Sequence, residues 1–301
     1  MLVAATSVPL THRRRLVGVF TSKDALEIAV SEYDADPTGA IAMYGPIADW
    51  EVSAITDLSK LFSNRQNFNT DISSWDTSSV TSMRYMFSHA SAFNQPLSLD
   101  TSSVTDMTGM FYSASAFNQP LSLDTSSVTD MDSMFGSASA FNQPLSFDTS
   151  RLMDTDAMFA SASVFNQPLS LDTSGVTSMR YMFYVASAFN QPLRFDTSSV
   201  TSMSYMFYSA SAFNQPLLFD TCSVTDMSYM FKRAFAFNQP LSFDTSKVTT
   251  MEDMFRVRSA RARHPLFTLR TLARSAPRTA TSPHARASQP ACRRPRMPSF
   301  G

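Results

Sequence analysis

The chain has 301 residues, 44% of them hydrophobic and only 16% charged, which is enough apolar content for a core. Its net charge of -1 averages two opposite regions: residues 1–255 carry all 25 acids against 13 Lys and Arg, and residues 256–301 carry 11 Arg and no acid. No apolar run approaches the roughly 20 residues that cross a bilayer, and neither the four scattered histidines nor Cys222 and Cys292 show a metal-ligand or disulfide-framework spacing.

Residues 1–21 carry no clear structural pattern and are expected to be disordered. A weakly apolar start precedes Arg13, Arg14 and Arg15, the reverse of the order in a secretory signal. Thr21 or Ser22 then precedes Ala25, Leu26, Ala29, Val30 and Tyr33, which fall on one face at helical spacing. The spacing predicts an amphipathic helix over 22–34 that ends near Pro37, Thr38 and Gly39. Residues 22–49 are thus expected to form a capping helix and a connection, closing one end of the repeats that begin at Trp50.

Residues 50–255 are one unit copied nine times. Phe-Asn-Gln-Pro-Leu begins at Phe93, Phe117, Phe141, Phe165, Phe189, Phe213 and Phe237, always 24 residues apart, and the first steps, Trp50 to Trp75 and Phe68 to Phe93, are 25. Within the unit that begins at Phe93, Leu97 and Leu99 alternate with Pro96, Ser98 and Asp100, a period of two that predicts a short strand. Thr101, Ser102 and Ser103 suit a helix N-cap, and Ser103 with Asp106 resembles a capping box. Val104, Met107, Met110, Phe111, Ala114 and Phe117 then predict a short helix. Each copy is too small to bury its own apolar face, so the expected fold is an α/β solenoid: a leucine-rich-repeat-like stack of about nine 24–25-residue coils, each a short parallel strand plus a short helix. Equivalent residues then form columns. Phe87 to Phe231 and Phe93 to Phe237 are expected to build two aromatic spines. One coil, near 148–159, is weak, with Leu152 in place of Val and Thr155 in place of Met.

The string Trp75-Asp76-Thr77-Ser78-Ser79-Val80-Thr81, followed by Met83, Met86-Phe87, Ala90 and Phe93-Asn94-Gln95, resembles the repeat of BspA-like leucine-rich-repeat surface proteins, which include mycoplasma surface lipoproteins. The resemblance spans residues 50–255. It implies a solenoid displayed at the cell surface or outside the cell, with a role in adhesion or in binding a protein or glycan. The chain departs from that pattern in its Pro-Leu-Ser-Leu-Asp segments and in showing no signal, lipid-attachment cysteine or C-terminal cap.

The tail, 256–301, begins in mid-coil and is rich in Arg, Pro, Ala, Ser and Thr. A basic arm for nucleic acid or anionic membrane is one reading. Disorder or a non-native tail is the expectation adopted, with no nucleic-acid partner.

Three repeated polar features bear on chemistry. The column from Asp76 to Asp244 is expected to close Asx-turns, with calcium as the alternative. The column from Asn94 to Asn238 is expected to form a hydrogen-bonded ladder, and the Met pairs to pack in the core. No nucleophile–histidine pair, P-loop or His-Glu-x-x-His motif occurs, and neither an enzymatic activity nor a cofactor is expected. The surface that differs between coils carries Arg180, Tyr181, Tyr184, Arg194, Tyr205, Tyr208 and Tyr229, residue types enriched at interface hot spots. These are the candidate partner-binding residues. A binding or adhesion scaffold is the expected function, and a structural spacer, favoured by the uniform Ser98, Ser122, Ser146, Ser170 and Ser242, is the alternative. The sequence does not fix the oligomeric state.

Overall fold

The computed structural model describes residues 18–255; the expectations for residues 1–17 and for the basic tail at 256–301 lie outside that span. The first helix, α1 (Lys23–Ala35), starts where Ser22 accepts the Ala25 N–H, and it buries Leu26, Ala29 and Val30. Pro37 does not end the helical region as expected. It opens a second helix, α2 (Pro37–Tyr44), for which Asp36 is the N-cap, accepting from Thr38 N–H. Proline is well suited to a first turn, where its missing N–H has no partner to lose. A 3-10 turn, Ile47–Asp49, leads to Trp50.

The helix α1 packs on the first coil through its apolar face. Leu26, Ala29 and Val30 join the core with Trp50, Val52 and Ile55, and Trp50 stacks on Trp75 of the next coil at 6.4 Å. Polar ties flank this seam: Lys23 Nζ reaches Asp57 at 2.8 Å, Arg65 reaches Asp34 at 3.2 Å, and Tyr33 bonds Thr70.

From Trp50 onward the chain is a repetitive stack with little regular secondary structure. The expected strand and helix of each coil are not formed: no helix beyond α2 and the 3-10 turn, and no extended strand, occurs among the described residues. Isolated parallel bridges instead run from coil to coil through Asp57, Ser82, Asp106, Asp130, Asp154, Ser178, Ser202, Asp226 and Thr250. The segment expected to be a strand contributes one bridge, Leu97 to Leu121. Pro96 offers that segment no donor, and side chains carry its axial links instead. The Thr101 hydroxyl donates to Asp124 O and the Gln119 amide to Asn94 O.

The segment expected to be a helix is a succession of tight turns. The N–H groups of Met110, Tyr112 and Ala114 donate back three residues, to Met107, Gly109 and Phe111. The intervening N–H groups of Met107, Gly109, Phe111 and Ser113 donate along the stack, to Asp130, Asp132, Met134 and Gly136. An α-helix would consume those axial donors within the coil. Turns closed every three residues also return side chains to one side, which is why Val104, Met107, Met110 and Ala114 imitate a helical face. Asp106 likewise does not complete a capping box; its carboxylate accepts the N–H of Thr108, two residues on.

The cost of this path is a left-handed backbone twice per coil. One column comprises Lys60, Tyr85, Gly109, Ser133, Ala157, Tyr181, Tyr205, Tyr229 and Asp253, and the second Asn64, His89, Ser113, Ser137, Ser161, Val185, Ser209 and Arg233, all with φ between 48° and 63°. The first column is the third residue of a turn such as that closed by Met86 N–H on Met83 O, where a type II turn requires positive φ.

The core holds both expected aromatic spines. Successive rings lie 5.7 Å apart at Phe87–Phe111 and 5.9 Å apart at Phe93–Phe117, all within a few degrees of parallel. The two spines also touch each other inside every coil, at 4.0 Å for Phe87–Phe93 and Phe183–Phe189. The weak coil keeps its place in the stack: Leu152 and Thr155 are fully buried, and the Thr155 hydroxyl donates to Ser178 O.

Candidate ligand-binding face

Most columns are spent on structure. Every carboxylate from Asp76 to Asp244 accepts the N–H two residues on, from Ser78 at 3.1 Å through Cys222 at 2.9 Å to Ser246 at 2.8 Å. Hydrogen bonds from the Ser102 hydroxyl and N–H hold the Asp100 carboxyl below its ordinary pKa, and the same cause acts on Asp76, Asp124 and Asp148. The Asn column forms its ladder, with the Asn118 N–H on Asn94 Oδ1 and the Asn142 N–H on Asn118 Oδ1, each 2.9 Å. Each Gln adds a second rung that was not expected from the sequence, Gln143 Nε2 reaching Asn118 O at 3.1 Å. The Met pairs from Met83 and Met86 to Met227 and Met230 are fully buried. Cys222, where sister coils have Ser, closes the same turn, its N–H donating to Asp220 Oδ1 at 2.9 Å.

The columns that vary lie on the face that carries the left-handed turns. Reading along the stack, one column is Arg84, Thr108, Asp132, Asp156, Arg180, Ser204, Ser228 and Glu252. Beside it runs Tyr85, Gly109, Ser133, Ala157, Tyr181, Tyr205 and Tyr229, and then Tyr112, Gly136, Ala160, Tyr184, Tyr208 and Lys232. The face has two contrasting stretches. Its middle coils carry small side chains and the carboxylates Asp130, Asp132, Asp154 and Asp156. Burial pushes Asp154 up to about 6, with Asp156, Asp132 and Asp130 adding repulsion, and burial also raises Asp132 and Asp156.

The adjoining coils carry the tyrosines, and here the structure brings most of the candidate residues together. Tyr205 lies between Tyr181 at 4.7 Å and Tyr229 at 4.6 Å, within 20° of parallel to both. Tyr184 and Tyr208 stack in a second row at 5.0 Å, and Tyr205 and Tyr208 join the rows at 5.8 Å. Arg180 lies over Tyr181 at 5.6 Å and Lys232 over Tyr229 at 4.6 Å, the two ends of the first row. Arg233 lies over Tyr208, the end of the second. The tyrosines are half-buried and Arg180 is exposed. Desolvation by the neighbouring rings raises the Tyr205 pKa, and a hydrogen bond to Glu252 pushes Tyr229 up to about 12. Tyr205 and Tyr229 are therefore protonated at neutral pH.

Arg194 is exposed but falls in a different column, in register with Ser98, Ser170 and Leu218, and makes no cation–π contact with the rows. Lys232 and Arg233 were missed as site residues. Alignment of the coils would have found them, since they continue the Tyr184–Tyr208 and Val185–Ser209 columns.

Three tandem stretches, residues 36–123, 98–194 and 170–265, match the family described as "Mycoplasma protein of unknown function, DUF285". They overlap across the whole stack. The chain belongs to the DUF285 family. No curated protein matches it. In this DUF285 chain the three matched stretches together span the tyrosine rows as well as the repeated polar and aromatic columns.

Proposed function

We propose that the chain is a non-enzymatic binding or adhesion scaffold that presents its tyrosine face to a protein or glycan at the cell surface. The observation that carries this reading is the gathering of five tyrosines on one face into two capped rows, while the Phe, Asn and Asx-turn Asp columns repeat from coil to coil. Stacked rings lose little further conformational entropy on binding, and tyrosine combines apolar area with a polar edge. The resemblance to BspA-like leucine-rich-repeat proteins supports the surface location and the leucine-rich-repeat-like description of the coil.

The test is a binding panel of extracellular proteins and glycans, comparing the native chain with a Tyr205→Ser/Tyr229→Ser variant. Ser133 already occupies an equivalent left-handed position, so serine fits there. The expected outcome is loss of capture with an unchanged melting temperature. Unchanged capture removes the face as the binding site. The second reading, a structural spacer, is favoured by the recurring Ser98, Ser122, Ser146, Ser170 and Ser242, and it gains if the native chain captures nothing on the panel.

A further inference from the structure

The tyrosine rows carry an inference about ligand chemistry that rests on the binding reading above. Sugars and aromatic side chains commonly meet ring faces, but here few faces remain open. Each face of Tyr205 meets another tyrosine, and the ends of its row lie beneath Arg180 and Lys232. The rows therefore offer ring edges, phenol hydroxyls and guanidinium groups. Ring edges are the positive part of the aromatic quadrupole, and phenols at neutral pH are donors. Arg180 and Arg233 make no direct ion pair among the described residues, although the Arg180 charge acts on the nearby Asp156 carboxylate, whereas Lys232 is paired with Asp253 at 2.8 Å. The ring edges, the phenols and the two arginines select an acceptor-rich, negatively charged partner, and the carboxylates of Glu252 and Asp253 bound its reach at the Tyr229 end of the row. The acidic middle coils adjoin the rows and repel such a partner, which confines it to residues 180–233.

Backbone pairing is closed to that partner. The N–H groups of Tyr181, Phe183 and Val185 already donate to Ser204, Met206 and Tyr208 of the next coil, so no strand can be added. An extended peptide laid along the rows also fails in register. Its same-face side chains recur about every 6.6–6.8 Å, while the rings recur at 4.6 and 4.7 Å. A linear chain of pyranose units advances by nearly one coil per sugar and keeps step.

We propose that this face binds an acidic polysaccharide of the uronic-acid class, lying along the stack with its carboxylates directed to Arg180 and Arg233 and its hydroxyls to the phenols of Tyr181, Tyr205 and Tyr208. The experiment is calorimetric titration of the full chain with oligogalacturonate in calcium-free buffer, with a neutral glucan oligomer and poly-glutamate as comparisons. The expected result is binding to oligogalacturonate that weakens with salt. Arg180→Ala/Arg233→Ala should bind about tenfold more weakly, the loss expected from removing exposed charge-assisted hydrogen bonds, with an unchanged melting temperature. Equal binding of the neutral glucan overturns the charge argument, and tighter binding of poly-glutamate overturns the polysaccharide class. Absence of oligogalacturonate binding overturns the whole inference. If another partner is still captured through Tyr205 and Tyr229, the scaffold reading stands and only the assignment of its ligand falls.

Discussion

At the residue scale the unusual feature is a left-handed backbone occupied by side chains that do not favour it. Glycine, asparagine and aspartate accept positive φ readily, and a β-branched residue is an outlier there. Asn64 and Gly109 fit that preference, but Val185 holds φ 56° at a position equivalent to Asn64. The axial hydrogen bond of its N–H to Tyr208 O at 2.7 Å helps fix the conformation. Val185→Asn retains that bond and relieves strain of about 1 kcal/mol, so the melting temperature should rise by about 2–4 °C in a domain of this size. Thermal unfolding followed by circular dichroism checks it, and an unchanged or lower midpoint would show that no strain was relieved. The converse holds at Gly109, where φ is +57° and an added Cβ would run into the Tyr85 ring. Gly109→Ala must displace that ring as well as strain the backbone, and should lower the midpoint.

At the scale of the coil, two polar devices respond differently to change. Asn142 Oδ1 accepts from the Asn166 N–H at 2.9 Å and from Gln167 Nε2. Asn142→Ala leaves that half-buried N–H without its acceptor, at a cost of about 1–3 kcal/mol, whereas Asn142→Asp keeps an acceptor oxygen and should cost less. Equal losses in the two variants, measured by denaturant unfolding, would exclude the ladder as the source. The middle-coil carboxylates couple stability to pH. Asp154 titrates near 3.8 when unfolded and at about 6 when folded, chiefly because burial disfavours its charge. Between those values the unfolded chain releases a proton that the folded chain keeps, so stability falls as pH rises from 3.8 to about 6. Asp132 and Asp156, also raised, act in the same sense. The Asx-turn carboxylates are lowered instead, and their contribution is already complete above the unfolded value. The chain should melt higher at about pH 4.5 than at about pH 7, and Asp154→Asn should flatten that dependence; an unaltered slope would place its origin elsewhere.

The same scale shows how far the sequence could be read. A column is legible because a 24-residue copy repeats its chemistry: the two Phe spines, the Asx-turns after Asp76 to Asp244 and the Asn ladder each follow from one residue type at one interval. The backbone between the columns is less legible. Met107, Met110 and Ala114 recur on one side whether the chain forms a helix or consecutive turns, and only the axial destination of the Gly109 and Phe111 N–H groups separates the two. Similarly, Leu97 and Leu99 alternate as a strand does, but Pro96 and the threonine and glutamine side-chain links leave them no ladder. The tyrosines could be selected as a set from type and exposure, whereas the capping by Lys232 and Arg233 depends on how side chains lean between coils.

On the scale of the whole molecule, each coil touches only its neighbours, so stability is approximately a sum of coil terms and interface terms along one dimension. The aromatic spines supply much of each interface, one running unbroken from Phe62 through Phe231 to Phe255 and the other from Phe68 to Phe237. A defect should therefore act according to its position as well as its size. Phe159 sits in the middle, in the coil that already carries Thr155 in a methionine column, and stacks on Phe135, Phe165 and Phe183 at 5.6, 4.2 and 5.8 Å. Truncation of a buried Phe to Ala costs about 3–5 kcal/mol, which at this point is set against the coupling of the two halves. Phe159→Ala should split denaturant unfolding into two steps, each with a smaller dependence on denaturant than the native transition, because each exposes only part of the stack. Phe231→Ala, near the end of the described coils, should fray the adjoining coils and leave one main transition. A single transition of unchanged slope from both variants would mean that the stack unfolds as one unit, with its cooperativity set by something other than contact between adjacent coils.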